Sequence, residues 1–408
     1  MASVVLLGTL DTKGSEYAFL RDRVRDAGCD VILVDAGVMS ERSPGDITAD
    51  EVARAAGEDR AALAAAGDRG PAVAAMTRGA VTVIRRLYDE GKLHGILGMG
   101  GSGGSSLISA AMQALPVGVP KLLVSTVASG DTRPYVGTSD IAMMYSVVDI
   151  AGINGISEKI LTNAAAGIAG MAKATEGFVS HVEKKPLIGA TMFGVTTPCV
   201  TTAREWLEEK GYEVLVFHAT GAGGRSMEAL MEAGFITGVL DSTTTELADE
   251  LVGGVLSAGP DRLEMAGRLG LPQVVSLGAL DMVNFGPLDT VPAEFKDRNL
   301  YVHNATVTLM RTTKDECAEL GRMIATKLNA AKGPLAVFVP LRGVSMIDVE
   351  GKPFYDAEAD AALMGELRAG LSPDVELVEV DTDINDPAFA TAMAERLDAL
   401  YTAWAAGR

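Results

Sequence analysis

Five glycines lie between Gly98 and Gly104, after a short apolar run and before a segment that can begin a helix. Glycines at such a turn let backbone N–H groups approach an anion at the start of the helix. The loop lacks the GK[ST] ending of a Walker A motif, and its GxGxxG lacks the acidic partner of a dinucleotide fingerprint. The pattern therefore favours binding of a phosphate or carboxylate, with tight backbone packing as the alternative.

Two more polar segments follow apolar runs in the first half of the chain. In the first, GTLDTKGSE, Lys13 is expected to neutralise a phosphate and Asp11 to hold a magnesium ion, usually through water. The alternative is that Thr12 or Ser15 only caps the next helix. The second segment, STVASGDTRPYVGTSDI, is more polar than a plain connection needs, although it also fits an ordinary surface loop.

The second half has a similar glycine loop, FHATGAGGRSMEAL, with Arg225 at a helix start where it would clamp a carboxylate or phosphate. His218 and His303 lie at or near predicted strand ends, which favours a functional role over a structural one. Asp281 and Arg311 complete the set of residues that we predict to be catalytic. The sequence has no serine elbow, HExxH helix or zinc-ligand spacing.

Short runs rich in Val, Ile and Leu alternate with helical patterns along the whole chain. The first half has the runs SVVLLG, DVILVD, HGILGM and PKLLVS, each apolar on both faces as in covered parallel strands. The first helix is expected to stop at Gly28, and Thr48 with Glu51 forms a capping-box pattern. This βαβ order predicts an α/β fold with doubly wound, mainly parallel sheets, in which ligands bind at the carboxyl ends of the strands.

The alternation of apolar runs and helical patterns stops in a polar stretch between Lys173 and Pro186 and resumes at Leu187. We therefore predict two Rossmann-like domains, 1–180 and 181–408, with a cleft between them and the expected substrate site on the second. The same order of strand, loop, helix and strand recurs in both, which indicates a duplication or simply the likeness of all βαβ units. The alanine-rich segment 61–80 fits either two packing helices or a lid that carries Arg69 or Arg78.

The 408-residue chain has a net charge of -19, 48% hydrophobic residues and 5% aromatic residues. The acidic balance argues against non-specific nucleic-acid binding, which needs a positive field. No apolar run is long enough to span a bilayer, and the N-terminus lacks the basic region of a signal peptide. Three cysteines without paired spacing fit a reducing compartment, so we expect a cytoplasmic protein without nucleic-acid or membrane partners.

Six motifs occur in the order found in a known family: GTLDTKG, GMGGSGG, STVASGDT, GALDMVNFG, RNLYVHN and PLRGVSMIDVEGKPFYDAEAD. By these motifs the chain resembles the ATP-binding domain family typified by the tomato mosaic virus resistance protein (Tm-one-like). The resemblance implies ATP with Mg²⁺ on the first domain and association into a homodimer or larger homo-oligomer. The nucleotide-contacting residues that it implies are Asp11, Thr12, Lys13, Gly100, Gly101, Ser102, Gly103, Gly104, Ser105, Ser125, Thr126, Ser129, Gly130, Asp131 and Thr132.

Three functional hypotheses follow. The leading one is an enzyme that uses ATP with Mg²⁺ on a small acidic metabolite, because titratable and cationic residues are dense at the predicted strand ends. The second is a non-catalytic, nucleotide-dependent regulatory or binding protein. The third is a lyase or isomerase of a sugar acid or phosphorylated carboxylate, whose phosphate the first glycine loop would hold.

Overall fold

The computed structural model describes residues 1–40, 44–178 and 185–407 of the chain. The chain forms two compact units, Met1–Val182 and Glu183–Arg408, each built on a parallel sheet with helices on its faces. The expected α/β class with two Rossmann-like, doubly wound domains is therefore confirmed. The boundary that we predicted, between residues 180 and 181, lies outside the described residues.

The N-terminal unit contains a five-stranded, entirely parallel sheet. Its strands are β1 (Ser3–Gly8), β2 (Asp30–Asp35), β3 (Gly95–Gly100), β4 (Lys121–Ser125) and β5 (Ala142–Tyr145). They lie in the order β2-β1-β3-β4-β5, so the strand order reverses between β1 and β3. The first four strands match the four apolar runs, whereas the short, partly exposed β5 was not predicted. The carboxyl ends of β1 and β3 are where this type of sheet binds ligands.

Seven helices of the N-terminal unit surround this sheet in the part of the chain that the structure describes. They are α1 (Leu10–Asp26), α2 (Ala49–Ala55), α3 (Arg60–Ala66), α4 (Arg69–Asp89), α5 (Ser102–Gln113), α6 (Arg133–Val136) and α7 (Ser157–Glu176). Alternate residues of β1 enter two apolar cores, one under α2, α4 and α5 and the other under α1 and α7. The capping box of Thr48 and Glu51 is present. The alanine-rich segment forms packing helices, and α4 lies against α2 and α5.

The C-terminal unit contains a six-stranded parallel sheet and a smaller antiparallel one. The strands are β6 (Leu187–Met192), β7 (Glu213–His218), β8 (Ile236–Thr243), β9 (Gln273–Gly278), β10 (Met282–Phe285), β11 (Leu300–Asn304), β12 (Val307–Arg311), β13 (Leu335–Pro340) and β14 (Glu376–Val380). The parallel sheet has the order β14-β13-β9-β8-β6-β7, and the antiparallel sheet has the order β10-β12-β11. The parallel strands continue the alternation of apolar runs and helices expected along the whole chain, but the antiparallel sheet was not expected.

The helices of the C-terminal unit are α8 (Thr197–Glu209), α9 (Ala222–Glu232), α10 (Glu246–Val252), α11 (Met265–Leu269), α12 (Lys314–Asn329), α13 (Ala357–Gly370) and α14 (Pro387–Ala406). They form apolar cores on both faces of the parallel sheet. Each unit also buries cysteine: Cys29 lies in the first unit, and Cys199 and Cys317 lie in the second, all as free thiols. Across residues 1–40, 44–178 and 185–407, no helix is both long enough and apolar enough to cross a membrane.

Candidate functional site

The first glycine loop forms the turn between β3 and α5, and the start of α5 has no side-chain cap. Among the described residues, no acceptor receives the N–H groups of Gly101, Ser102, Gly103 and Gly104. The next N–H, that of Ser105, donates to the Gly101 carbonyl at 2.8 Å and so closes the first helical turn. The four earlier residues are exposed or half-buried. The start of α5 is therefore open, as an anion-binding helix N-terminus requires.

The glycines of this loop divide into two groups by what surrounds them. A Cβ on Gly98 would lie 2.5 Å from Ile108 Cγ2, and one on Gly100 would lie 3.0 Å from the Gly104 Cα. These two glycines allow α5 to pack closely on β3. For the other three, the nearest atom lies 3.5 Å or more from the Cβ position. The packing alternative thus explains the glycines of the strand and leaves those at the helix start available for a ligand.

Arg69, the first residue of α4, lies beside the start of α5. Its Nη2 atom is 3.5 Å from the position that a Cβ on Gly103 would take. Arg69 is exposed, and within the part of the chain that the structure describes it has no hydrogen-bond or ion-pair partner. A helix N-terminus carries roughly half a positive charge, so a guanidinium group beside it is unfavourable without an anion. Two positive groups therefore face each other here without a negative partner.

The start of α1, by contrast, is occupied by carboxylates of the protein itself. Asp35 Oδ1 accepts hydrogen bonds from the N–H groups of Leu10 at 3.0 Å and Gly37 at 2.8 Å. Asp11 Oδ2 accepts one from the N–H of Met39 at 3.0 Å. These carboxylates would repel a phosphate at this turn unless a cation lay between them.

The second glycine loop, between β7 and α9, is also occupied from within. Glu246 Oε1 accepts hydrogen bonds from the N–H groups of Gly221 at 2.7 Å and Gly224 at 3.0 Å. Its other oxygen, Oε2, accepts one from Arg262 Nε at 2.6 Å, and both side chains are fully buried. A Cβ on Gly224 would lie 2.1 Å from Glu246 Oε2, so glycine is needed there to admit the carboxylate. This loop holds an internal anion, which leaves no room for a bound phosphate.

The predicted contacts in the turn after β1 have partners within the unit. Lys13 Nζ donates to the Ile150 carbonyl, so in this structure the ammonium group supports the loop after β5. Thr12 Oγ1 lies 3.2 Å from Thr9 Oγ1 and also donates to the Thr9 carbonyl at 3.3 Å. Thr12 lies inside α1 and caps no backbone N–H, so the capping alternative does not describe it, and the roles of Asp11, Thr12 and Lys13 toward a ligand stay predictions.

The predicted contacts after β4 differ in how accessible they are. The Oγ atoms of Ser105 and Ser125 lie 2.6 Å apart, and both side chains are fully buried, so they join α5 to β4. Thr126 Oγ1 is half-buried and lies 3.7 Å from the Cβ position of Gly101, beside the open helix start. Asp131 is exposed and pairs with Arg133 at 2.8 Å. The remaining predicted contacts on this loop are exposed or half-buried: Ser129, Gly130 and Thr132.

In the C-terminal unit, the predicted catalytic residue Arg311 is almost fully buried and holds other side chains in place. Its Nε donates to the Phe354 carbonyl at 2.6 Å, and its Nη1 donates to Thr312 Oγ1 at 2.8 Å. Its Nη2 donates to Asp360 at 2.6 Å and to Asp348 at 3.3 Å. Every nitrogen of the guanidinium group is engaged, so Arg311 has no free nitrogen to offer a substrate.

Asp281 belongs to the same buried cluster. Its Oδ2 accepts a hydrogen bond from Ser345 Oγ at 2.7 Å, while its buried Oδ1 has no partner among the residues described. Burial raises the pKa of Asp281 to about 6, although Arg311 opposes the change. Burial and the nearby Asp281 and Asp360 raise the pKa of Asp348 to about 9. The cluster therefore retains a proton on Asp348 at neutral pH, as expected when three carboxyl groups share one arginine.

The other three predicted catalytic residues lie on the surface. His218 ends the edge strand β7, and Arg225 in α9 donates from Nη1 to the Ser257 carbonyl at 2.9 Å. His303 lies on the exposed strand β11. Two strands separate β7 from β9, a distance of roughly 14 Å at the usual strand spacing. The expectation that five catalytic residues form one site is therefore not supported: two are buried together and three are exposed elsewhere.

Residues 2–177 match the N-terminal domain of the uncharacterised protein family UPF0261, and residues 185–401 match the C-terminal domain of that family. The chain belongs to the UPF0261 family. A UPF0261 protein of Clostridium tetani is 56% identical over 396 residues, which cover 97% of this chain and 98% of the relative. A UPF0261 protein of Mesorhizobium japonicum is 47% identical and covers 98% of this chain and 99% of its own.

The tomato mosaic virus resistance protein Tm-1 (GCR237) of Solanum lycopersicum is 43% identical to this UPF0261 chain over 414 residues. The match covers 96% of this chain and 55% of the plant protein, so the resemblance inferred from the motifs is confirmed. Among solved structures, a UDP-N-acetylglucosamine 2-epimerase from Rickettsia bellii aligns with 98% of this chain and 97% of its own. Its identity of 10% and TM-score of 0.23 carry no functional argument.

Of the residues that decide which turns of the UPF0261 chain are open, sequence reasoning missed Asp35 and Glu246 and named Arg69 only as a possible lid residue. Asp35 and Glu246 neutralise two helix starts, and Arg69 leaves a third with an additional positive charge. None of the three lies in the turn that it affects, so local spacing carries no signal for them. Arg69 reaches α5 only because α4 packs against that helix.

Proposed function

We propose that the N-terminal unit binds the phosphate groups of a nucleotide at the start of α5. ATP with Mg²⁺ is the ligand that the family resemblance implies. The observation that carries the proposal is the pair of positive groups without a negative partner, the open start of α5 and the Arg69 guanidinium. A phosphate between them would accept hydrogen bonds from backbone N–H groups and pair with the arginine, which satisfies both at once.

The other two helix starts described above support the proposal by contrast. Asp35 neutralises the start of α1, and Glu246 neutralises the start of α9. The chain has 54 acidic residues, and in the part that the structure describes none of them pairs with Arg69. A phosphate ligand would supply the counter-charge that the open start of α5 and Arg69 lack among the described residues.

Two carboxylates next to this turn support magnesium as the accompanying cation. β1 and β3 are adjacent strands, so a phosphate at the end of β3 would lie near the carboxylates of Asp11 and Asp35. A divalent cation would offset that repulsion. No group of three or more His, Cys, Asp or Glu side chains in residues 1–40, 44–178 and 185–407 could hold a metal ion alone. Mg²⁺ commonly takes one or two carboxylates and completes its shell with water and phosphate oxygens, which fits Asp11.

Isothermal titration of the purified protein with ATP, with and without Mg²⁺, tests the proposal. Replacement Arg69→Ala should weaken binding roughly 10- to 100-fold, because a charge-assisted hydrogen bond is lost. Arg225→Ala is the matched control, since it removes an exposed arginine beside the second glycine loop, which Glu246 already occupies. Equal affinity of the wild type and the Arg69 variant would contradict the proposal.

A second candidate, nucleotide-dependent binding without catalysis, is favoured by the burial of two of the predicted catalytic residues. Both residues are buried: Arg311 donates a hydrogen bond to Asp360, and Asp281 accepts one from Ser345. Phosphorus NMR of ATP incubated with the protein separates the candidates. ATP that stays intact over many equivalents favours the binding protein. Its conversion to ADP or AMP, abolished by Arg69→Ala, favours an enzyme.

A further inference from the structure

Ser40 follows β2 and carries a buried hydroxyl group without a partner. Only 7% of the residue is exposed, and Oγ has no hydrogen-bond donor or acceptor within the residues that the structure describes. Buried hydroxyl groups are normally hydrogen-bonded, and leaving one unsatisfied costs roughly 1–3 kcal/mol. A ligand in the space beside Ser40 would supply the partner that the described residues do not.

The Asp11 carboxylate lies beside this hydroxyl. A Cβ on Gly37 would lie 2.7 Å from Asp11 Oδ1 and 2.8 Å from Ser40 Oγ, so the two oxygens border the same small space. The carboxylate is fixed there because its other oxygen, Oδ2, accepts the N–H of Met39 at 3.0 Å. Oδ1 has neither a hydrogen bond nor an ion pair in the part of the chain described.

Charged groups of both signs lie near this space, and the guanidinium group of Arg60 is held by the Val38 carbonyl at 2.9 Å and by Asp50 at 2.6 Å. The Asp35 carboxylate accepts the Gly37 N–H at 2.8 Å and thus lies on the same turn as Asp11. Lys13, two residues after Asp11, directs its ammonium group to the Ile150 carbonyl instead. A carboxylate oxygen and a neutral hydroxyl oxygen are ligands for a hard cation, and Mg²⁺ prefers oxygen ligands of this kind.

We propose that Ser40 Oγ and Asp11 Oδ1 together are this chain's ligands for a divalent cation. Water fills the remaining positions, and phosphate oxygens replace some of that water when a nucleotide binds at α5. The second part rests on the proposed function, whereas binding of the cation alone does not. Gly37 is part of the site, since any larger residue would push the two oxygens aside.

Mn²⁺ titration followed by electron paramagnetic resonance, with and without ADP, tests the proposal on the full chain. Ser40→Ala should weaken Mn²⁺ binding about tenfold, by analogy with losses at supporting metal contacts. Ser139→Ala is the matched control, because the Ser139 hydroxyl is also buried without a partner among the described residues and lies away from Asp11 in sequence and sheet position. Ser40→Cys should shift the preference from Mn²⁺ to Cd²⁺, because a thiolate is a softer ligand.

The Cys variant separates a ligand from a structural residue, since a merely structural role would not change which metal is preferred. Equal Mn²⁺ affinity of the wild type and Ser40→Ala, or no Mn²⁺ binding by the wild type at millimolar concentration, overturns the proposal. Mn²⁺ binding that depends on Ser40 in a protein that binds no ADP supports the cation site and refutes the nucleotide proposal. If pyrophosphate binds without metal and needs Arg69, while Ser40→Ala leaves Mn²⁺ affinity unchanged, the phosphate site is supported and the cation site is refuted.

Discussion

At the scale of single residues, Arg311 holds three carboxyl groups that would otherwise be buried without a positive charge. We predict that Arg311→Ala lowers the free energy of unfolding by roughly 3–5 kcal/mol, because Asp281, Asp348 and Asp360 lose their counter-charge. Urea unfolding measures this loss. Arg322→Ala is the control, since that exposed arginine pairs with Glu319 on the surface and should matter little. If both variants unfold at the same urea concentration, the buried cluster does not stabilise the unit.

Asp249 predicts a pH dependence of stability. The N–H and Nδ2 of Asn284 each donate to its carboxylate at 2.7 Å, and burial raises its pKa to about 7 from an ordinary 3.8. The folded state therefore keeps a proton that the unfolded chain releases, so this stabilisation is complete below about pH 4 and is lost as the pH rises through about 7. Asp281 and Asp348 act in the same direction, with pKa values of about 6 and about 9.

The replacement Asp249→Asn removes this titrating group. The free energy of unfolding of the wild type, measured with urea, should fall between about pH 4 and about pH 7, by up to about 1.4 kcal/mol per pH unit for one proton. The variant should show a smaller decrease over the same range. An unchanged slope would mean that Asp249 is ionised in the folded protein throughout.

At the scale of secondary-structure elements, the starts of α5 and α9 differ mainly in whether a carboxylate occupies them. We predict that Gly103→Asp supplies one to α5, because the Cβ position is 3.5 Å from Arg69 Nη2. An acidic residue in the first helical turn should stabilise the unit by roughly 0.5–1 kcal/mol and abolish ATP binding. Gly103→Asn has the same shape without the charge and serves as the control. ATP binding by the Asp variant at wild-type affinity would refute an anion site here.

Some secondary-structure elements could be predicted from the sequence, whereas others could not. β1 and β2 were predicted residue by residue, because covered parallel strands are continuous apolar runs. β11 was not among the predicted apolar runs, because this five-residue strand ends in the polar His303 and Asn304 and is exposed after Leu300. The two glycine loops look alike in sequence. Their different states depend on Glu246 and Arg69, which reach them only through tertiary packing.

At the scale of the whole molecule, every residue that we assign to phosphate and cation binding belongs to the N-terminal unit. That unit has its own apolar cores on both faces of its sheet. We predict that a fragment of residues 1–178 folds alone and binds Mg²⁺ and ATP within about threefold of the affinity of the full chain. Circular dichroism and titration calorimetry check the two parts. A folded fragment that binds no nucleotide would show that the site needs residues beyond 178.

The buried cysteines give the two units separate reporters of their opening. Burial raises the pKa of the Cys199 thiol to about 12 and that of Cys317 to about 11, and it also raises the pKa of Cys29. Each thiol is therefore protected from alkylation until its surroundings unfold. Timed alkylation with peptide mapping can follow the opening of the two units separately in one sample. Added nucleotide should slow the alkylation of Cys29 and leave the alkylation rates of Cys199 and Cys317 unchanged.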